Sequence, residues 1–77
     1  MSEAMAEEHF KKTVGHRIAI MRIKKGFSQQ ELARACRTSR ERLSSYECGH
    51  AQPRSYTLYK IAETLDVSLD ALVSPLH

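Results

Sequence analysis

The chain has 77 residues, with 12 Lys or Arg against 9 Asp or Glu and a formal charge of +3 at pH 7. A chain this short forms one small domain that buries roughly 60% of its unfolded surface, with no room for a second core. The acidic opening Met-Ser-Glu-Ala-Met-Ala-Glu-Glu lacks an apolar stretch, and the longest interior apolar run is Ile18 to Met21. Neither suits a signal peptide or a membrane span, so a cytoplasmic protein is expected.

The first predicted element is a helix from about His9 or Thr13 to Lys25, stopped by Gly26, with residues 1–8 before it as an acidic arm and residues 9–77 as the domain. Ser28 caps a second helix, and Glu31 three residues later completes a capping box. Leu32, Ala33 and Cys36 share one face of it. Thr38 or Ser39 caps a third helix, in which Leu43, Tyr46 and Glu47 point inward while Arg40, Glu41, Ser44 and Ser45 lie on the opposite side. A loop through Gly49, His50, Ala51, Gln52 and Pro53 leads to a fourth helix near Ser55, whose Leu58, Ile61, Ala62 and Leu65 repeat at the spacing of one buried face. Ser68 caps a short fifth helix carrying Leu69, Leu72 and Val73. With no period-two pattern anywhere, the expected fold is all-α, a compact five-helix bundle.

Charge is segregated along these elements. Residues 9–54 hold eleven Lys or Arg against three acids, Glu31, Glu41 and Glu47, whereas the two ends are acidic. A basic middle suits a nucleic-acid footprint confined to one part of the domain. A short helix with hydrogen-bonding groups exposed near its N-terminus is what the major groove of DNA admits. Catalysis is not indicated: His9, His16, His50 and His77 have no ligand-like spacing, no Gly-rich phosphate loop exists, and Ser44 and Ser45 lack a nearby His. No metal, cofactor or small-molecule ligand is implied. Two cysteines in a cytosolic chain stay reduced; Cys36 belongs in the core and Cys48 has no assigned role.

The stretch from Ser28 to Gly49 resembles the helix-turn-helix of the Cro and phage-repressor (Xre) family of DNA-binding proteins. The residues that carry the likeness are Gln29 and Ala33 four apart, Leu43, and Glu47-x-Gly49. Upstream, Gly15-x-x-Ile18-x-x-Met21-Arg22 and Gly26-Phe27-Ser28-Gln29 match the family's first helix and its exit. Downstream, Pro53 and the run from Leu58 to Leu72 match its last two helices. The resemblance implies a lambda-repressor-like DNA-binding domain acting as a transcriptional regulator, a homodimer on a pseudo-palindromic operator.

It also implies roles. Ser39, Arg40, Glu41, Ser44 and Ser45 become the base-reading set, since Arg bonds guanine O6 and N7 and Glu accepts from cytosine N4. Gln29, Arg42, His50 and Arg54 become phosphate contacts, Gln29 also as a brace for Arg40. Arg22 and Glu47 become an ion pair tying helix 1 to the end of helix 3. Leu69, Leu72, Val73 and Leu76 become the dimer interface, with Tyr56 or Tyr59 at its rim. Phage repressors, restriction-modification controllers and antitoxins all fit, and so does a helix-turn-helix whose main partner is another protein. Two features depart from the pattern. Arg37 stands in the turn where the family usually has Gly, and Ile20 and Ile23, with His16 and Phe27, make a second apolar stripe on helix 1. That stripe either covers the N-terminal segment through Met5 and Phe10 or meets another chain.

Overall fold

The computed structural model describes residues 2–74, which form five helices and no strands: α1 (Glu3–Lys24), α2 (Gln29–Ala35), α3 (Arg40–Glu47), α4 (Ser55–Leu65) and α5 (Leu69–Val73). Local chemistry sets most of the starts. Ser28 Oγ accepts from the Glu31 backbone N–H at 3.0 Å while Glu31 Oε1 accepts from the Ser28 N–H at 2.8 Å, completing the capping box. Ser39, rather than Thr38, caps α3 through Arg42 N–H, and Ser68 caps α5 through Ala71 N–H. The first helix begins earlier than the sequence suggests. Ser2 accepts from Met5 N–H at 3.2 Å, and α1 then runs unbroken for 22 residues, so the acidic segment expected as an arm is helical.

The helix ends follow one rule. After α1, α2, α3 and α4 the chain turns through a left-handed residue, Gly26, Arg37, Gly49 and Asp66 in order. In each case the next N–H reaches back to close the last turn: Phe27 to Arg22 O, Thr38 to Ala33 O, His50 to Ser45 O and Val67 to Ala62 O, all at 2.9–3.0 Å. This arrangement satisfies carbonyls that would otherwise lack partners. Arg37 therefore keeps the turn geometry usual for Gly, at φ 57°, instead of adopting another.

The core gathers one face from every helix: Val14 and Ile18 of α1, Leu32 and Ala33 of α2, Leu43 and Tyr46 of α3, Leu58, Ile61, Ala62 and Leu65 of α4, and Leu72 of α5, with Cys36 just after α2. Each fully buried Leu or Ile here contributes roughly 1.5–3 kcal/mol. Burial pushes the Cys36 thiol above its ordinary pKa. Gly15 lets α1 and α3 meet closely, since a Cβ there would collide with the carbonyl oxygens of Tyr46 and Glu47.

Packing corrects two expectations. Phe27 is drawn against the core, as is Met21, and leaves the outer stripe of α1. Met5 and Phe10 sit on the same continuous helix as Ile20 and Ile23, so the N-terminal segment does not fold back over them. All four side chains remain exposed.

Arg37 is exposed and its side chain makes no hydrogen bond or ion pair among the described residues, so only its backbone conformation matters. Holding a non-Gly residue left-handed costs roughly 1 kcal/mol. Arg37→Gly is therefore expected to stabilise the domain by a few tenths to roughly 1 kcal/mol in urea unfolding, part of the gain being offset by the freer unfolded chain. A loss of stability would assign the Arg side chain a structural contact.

Candidate nucleic-acid interface

Helix α3 divides its residues sharply. Leu43 and Tyr46 are buried, and the Glu47 side chain is only 7% exposed. On the other side, Arg40, Glu41, Ser44 and Ser45 follow one another around a single arc. Arg40 and Glu41 are exposed, and Ser44 and Ser45 half-buried. None of these four side chains has a hydrogen-bond partner among the described residues. Ser39 differs, since its oxygen caps α3, which leaves the hydroxyl hydrogen to donate outward. Cys48, a free and exposed thiol, ends the same arc.

What holds this helix in place lies behind it. Arg22 grips Glu47 with two bonds, Nε to Oε2 at 2.7 Å and Nη2 to Oε1 at 3.2 Å, and its Nη1 donates to the Phe27 carbonyl at 2.9 Å. Gln29 Nε2 donates to the same Glu47 Oε1 at 3.0 Å. One carboxylate thus joins the end of α1, the start of α2 and the end of α3. The expected ion pair is present and well covered, with the Arg22 side chain 14% exposed. Gln29 is a correction: its amide braces Glu47 at the end of α3, not Arg40 at the start, and is committed inward. Sequence could not show this, because the partner lies 18 residues away.

The basic residues separate into two groups. Arg42 and Arg54 line one surface groove of about 750 Å³ together with Ser45, Gln52, Tyr56 and Thr57. Tyr56 was expected at a dimer rim and Thr57 had no expected role, yet both belong to this groove. Their only sequence signal is position, at the start of α4 just after Arg54. His50 is not part of it. It lies toward α1, where it adds slightly to the forces that hold Glu8 below the ordinary carboxylate range, chief among them the hydrogen bond from Lys11.

The expected dimer surface is also revised. Leu72 is fully buried in this chain's own core, and Val73 packs partly against it. Leu69 remains outward at 42% exposed, and Tyr56 and Tyr59 of α4 are uncovered as well. Leu76 lies outside the described residues. Among those residues no three His, Cys, Asp or Glu side chains come together as a metal site, and no helix is long and apolar enough to cross a membrane.

A family model described as Helix-turn-helix matches residues 18–72. The chain belongs to the helix-turn-helix family of Cro and phage-repressor (Xre) type. It is 40% identical over 65 residues to the HTH-type transcriptional regulator y4dJ of Sinorhizobium fredii, covering 84% of each chain. It is 38% identical over 63 residues to the SPbeta prophage-derived HTH-type transcriptional regulator YonR of Bacillus subtilis, covering 82% of this chain and 58% of that one. Among solved structures, the clp gene regulator ClgR from Corynebacterium glutamicum superposes with a TM-score of 0.79 at 31% identity, over 82% of this chain and 68% of ClgR. The restriction-modification controller protein C.AhdI from Aeromonas hydrophila gives 0.77 at 27% identity, over 80% of this chain and 94% of its own. The helix-turn-helix regulator therefore shares its fold with proteins named for gene control, and α2 and α3 are its motif.

The buried junction at Glu47 makes a strong demand on both partners. Arg22→Ala or Glu47→Ala leaves the other charge covered and unpaired, so each is expected to cost roughly 2–4 kcal/mol, a little under the range for fully buried pairs. Gln29→Ala, which removes one neutral donor, should cost roughly 1 kcal/mol. A double-mutant cycle on Arg22 and Glu47 should show coupling above roughly 1 kcal/mol, whereas Lys60→Ala in the exposed Lys60–Glu63 pair should change little. Near-zero, additive effects at Arg22 and Glu47 would reduce them to surface charges.

Proposed function

We propose that this regulator is a sequence-specific DNA-binding protein that lays α3 in the major groove of a pseudo-palindromic operator and acts as a homodimer. The observation that carries this reading is the arc of Arg40, Glu41, Ser44 and Ser45: polar side chains with no partner among the described residues, on a helix whose other side is locked into the core. Hydrogen-bonding groups arranged in this way suit base edges. Arg40 reads guanine through O6 and N7, Glu41 accepts from cytosine N4, and the two serines and Ser39 add contacts of lower selectivity.

Arg42 and Arg54, facing one groove beside α3, supply phosphate contacts that set register without specifying sequence. Tyr56 and Thr57 add hydroxyl donors to the same strand of backbone. Gln29 acts chiefly through Glu47, and any phosphate contact it makes uses its backbone N–H at the start of α2. His50 meets the backbone beyond this groove, toward α1. Two copies pair through the exposed side of α5 at Leu69, which sets half-sites roughly 34 Å apart. Pairing gives a reading helix of eight residues the affinity that one copy lacks.

Selection from random duplex DNA followed by gel shift tests the reading. A preferred operator with two-fold character is expected, and its affinity should fall steeply with salt as counterions are released. On that operator Arg40→Ala should cost roughly 1–3 kcal/mol and relax preference at one or two base pairs per half-site. Arg54→Ala should weaken binding evenly across sequences and flatten the salt dependence. If no sequence is selected, and Arg40→Ala and Ser45→Ala change nothing, α3 is not the reading element and a protein partner becomes the better account.

A further inference from the structure

The side of α1 that packs in the core continues past the core. Counting back from Ile18, this side carries Val14, then Phe10 and Lys11, then Glu7, then Glu3, at helical spacings of three and four. Val14 and Ile18 are buried, whereas every residue from Ser2 to Phe10 is exposed. The first two turns of the helix therefore overhang the body, with Glu3 and Glu7 on the side turned toward it. Under this overhang is a surface groove of about 580 Å³ lined by Glu3, Ala6, Glu7, Phe10, Lys11 and Gln52.

Gln52 joins two surfaces. It lines this groove, and it also lines the neighbouring one that holds Arg42 and Arg54. The two grooves are opposite in charge. Neither arginine has an ion pair among the described residues, so the second groove is free to take an anion. In the first, Lys11 is the only cation in the lining, and Glu8 holds it at 2.8 Å. Glu3 and Glu7 have no ion pair among the described residues. Lys12 does not neutralise them, since it packs against the turn at Gly49 on another side of α1. Three acids (Glu3, Glu7 and Glu8) against Lys11 leave this end of the helix with two net negative charges.

We propose that Glu3 and Glu7 set an acidic limit to the DNA contact, at the edge of the groove where Arg42 and Arg54 meet phosphates. The inference rests on the DNA-binding reading of that groove. A backbone that leaves the arginines past Gln52 comes under the overhang and meets two carboxylates that no cation balances. Carboxylate and phosphate repel, and salt screens them only weakly within a Debye length, about 8 Å at physiological ionic strength. This repulsion does not depend on base sequence. It lowers affinity for every duplex by the same factor and leaves untouched the preference that Arg40 and Glu41 establish. Glu3 and Glu7 thus hold sequence-independent binding down, where Arg42 and Arg54 raise it.

Glu3→Gln with Glu7→Gln removes both charges and keeps both shapes. Binding to the selected operator and to a random-sequence duplex of equal length is followed by fluorescence anisotropy, with helical content checked by circular dichroism. Affinity for both duplexes should rise by the same factor, roughly threefold or more, and fall more steeply with salt. Glu7→Gln alone, in the second turn, should give part of this rise even where the double change frays α1, and Glu7→Lys should exceed it. Asp66→Asn removes one charge at the far end of α4, where Asn also suits the left-handed backbone, and should change affinity little. Arg54→Ala separates the two readings. If it weakens binding while the Gln variants do not strengthen it, the groove binds DNA and the acidic limit is overturned. The limit is also overturned by a rise that Asp66→Asn matches, or by one confined to the operator. If Arg54→Ala changes nothing, both readings fall.

Discussion

A single covered carboxylate organises this domain. Glu47 accepts from Arg22 and Gln29, and Arg22 also holds the Phe27 carbonyl that follows α1. The contribution of such a junction to net stability is small, because two charges must leave water to form it. Its value is positional. Removing either charge strands the other, so the ends of three helices can meet in only one way. Gly15 adds a steric condition to the same contact, since α1 and α3 approach too closely there for any side chain on α1. The orientation of α3 follows from these two constraints together.

With its back fixed, α3 is free to be polar on the other side. A helix of eight residues would be marginal as an isolated peptide. Here Leu43 and Tyr46 anchor it, Ser39 caps its start, and the turn at Gly49 closes its end. That leaves Arg40, Glu41, Ser44 and Ser45 with no structural duty, unlike Gln29 and Glu47, which have one. The groove shared by Arg42 and Arg54 lies beside this arc, and both belong to the basic middle of a chain whose ends are acidic.

Much of this was legible in the residues. Apolar spacing placed all five helices, and Ser28 with Glu31 marked the second start. Residues that answer to distant partners were harder. The start of α1 escaped because Glu3 to His9 have no apolar period; only Ser2, a polar cap, marks it. Gln29 read as an outward amide, although its partner is a carboxylate on another helix. On the short α5, Leu69 and Leu72 are equally apolar in sequence, and only packing against α1 and α4 decides that Leu72 turns inward. Arg37, by contrast, kept the backbone geometry its position demands despite lacking the residue usually found there.

The central claim is that the exposed arc of α3 is the surface that meets DNA. Amide chemical-shift mapping of the isotope-labelled protein against its selected operator tests it most directly. The account predicts that the largest shifts fall on Arg40, Glu41, Ser44 and Ser45, with a second group at Arg42, Arg54 and Tyr56. Shifts concentrated on α1 or α5, with residues 39–45 unchanged at saturating operator, would contradict it.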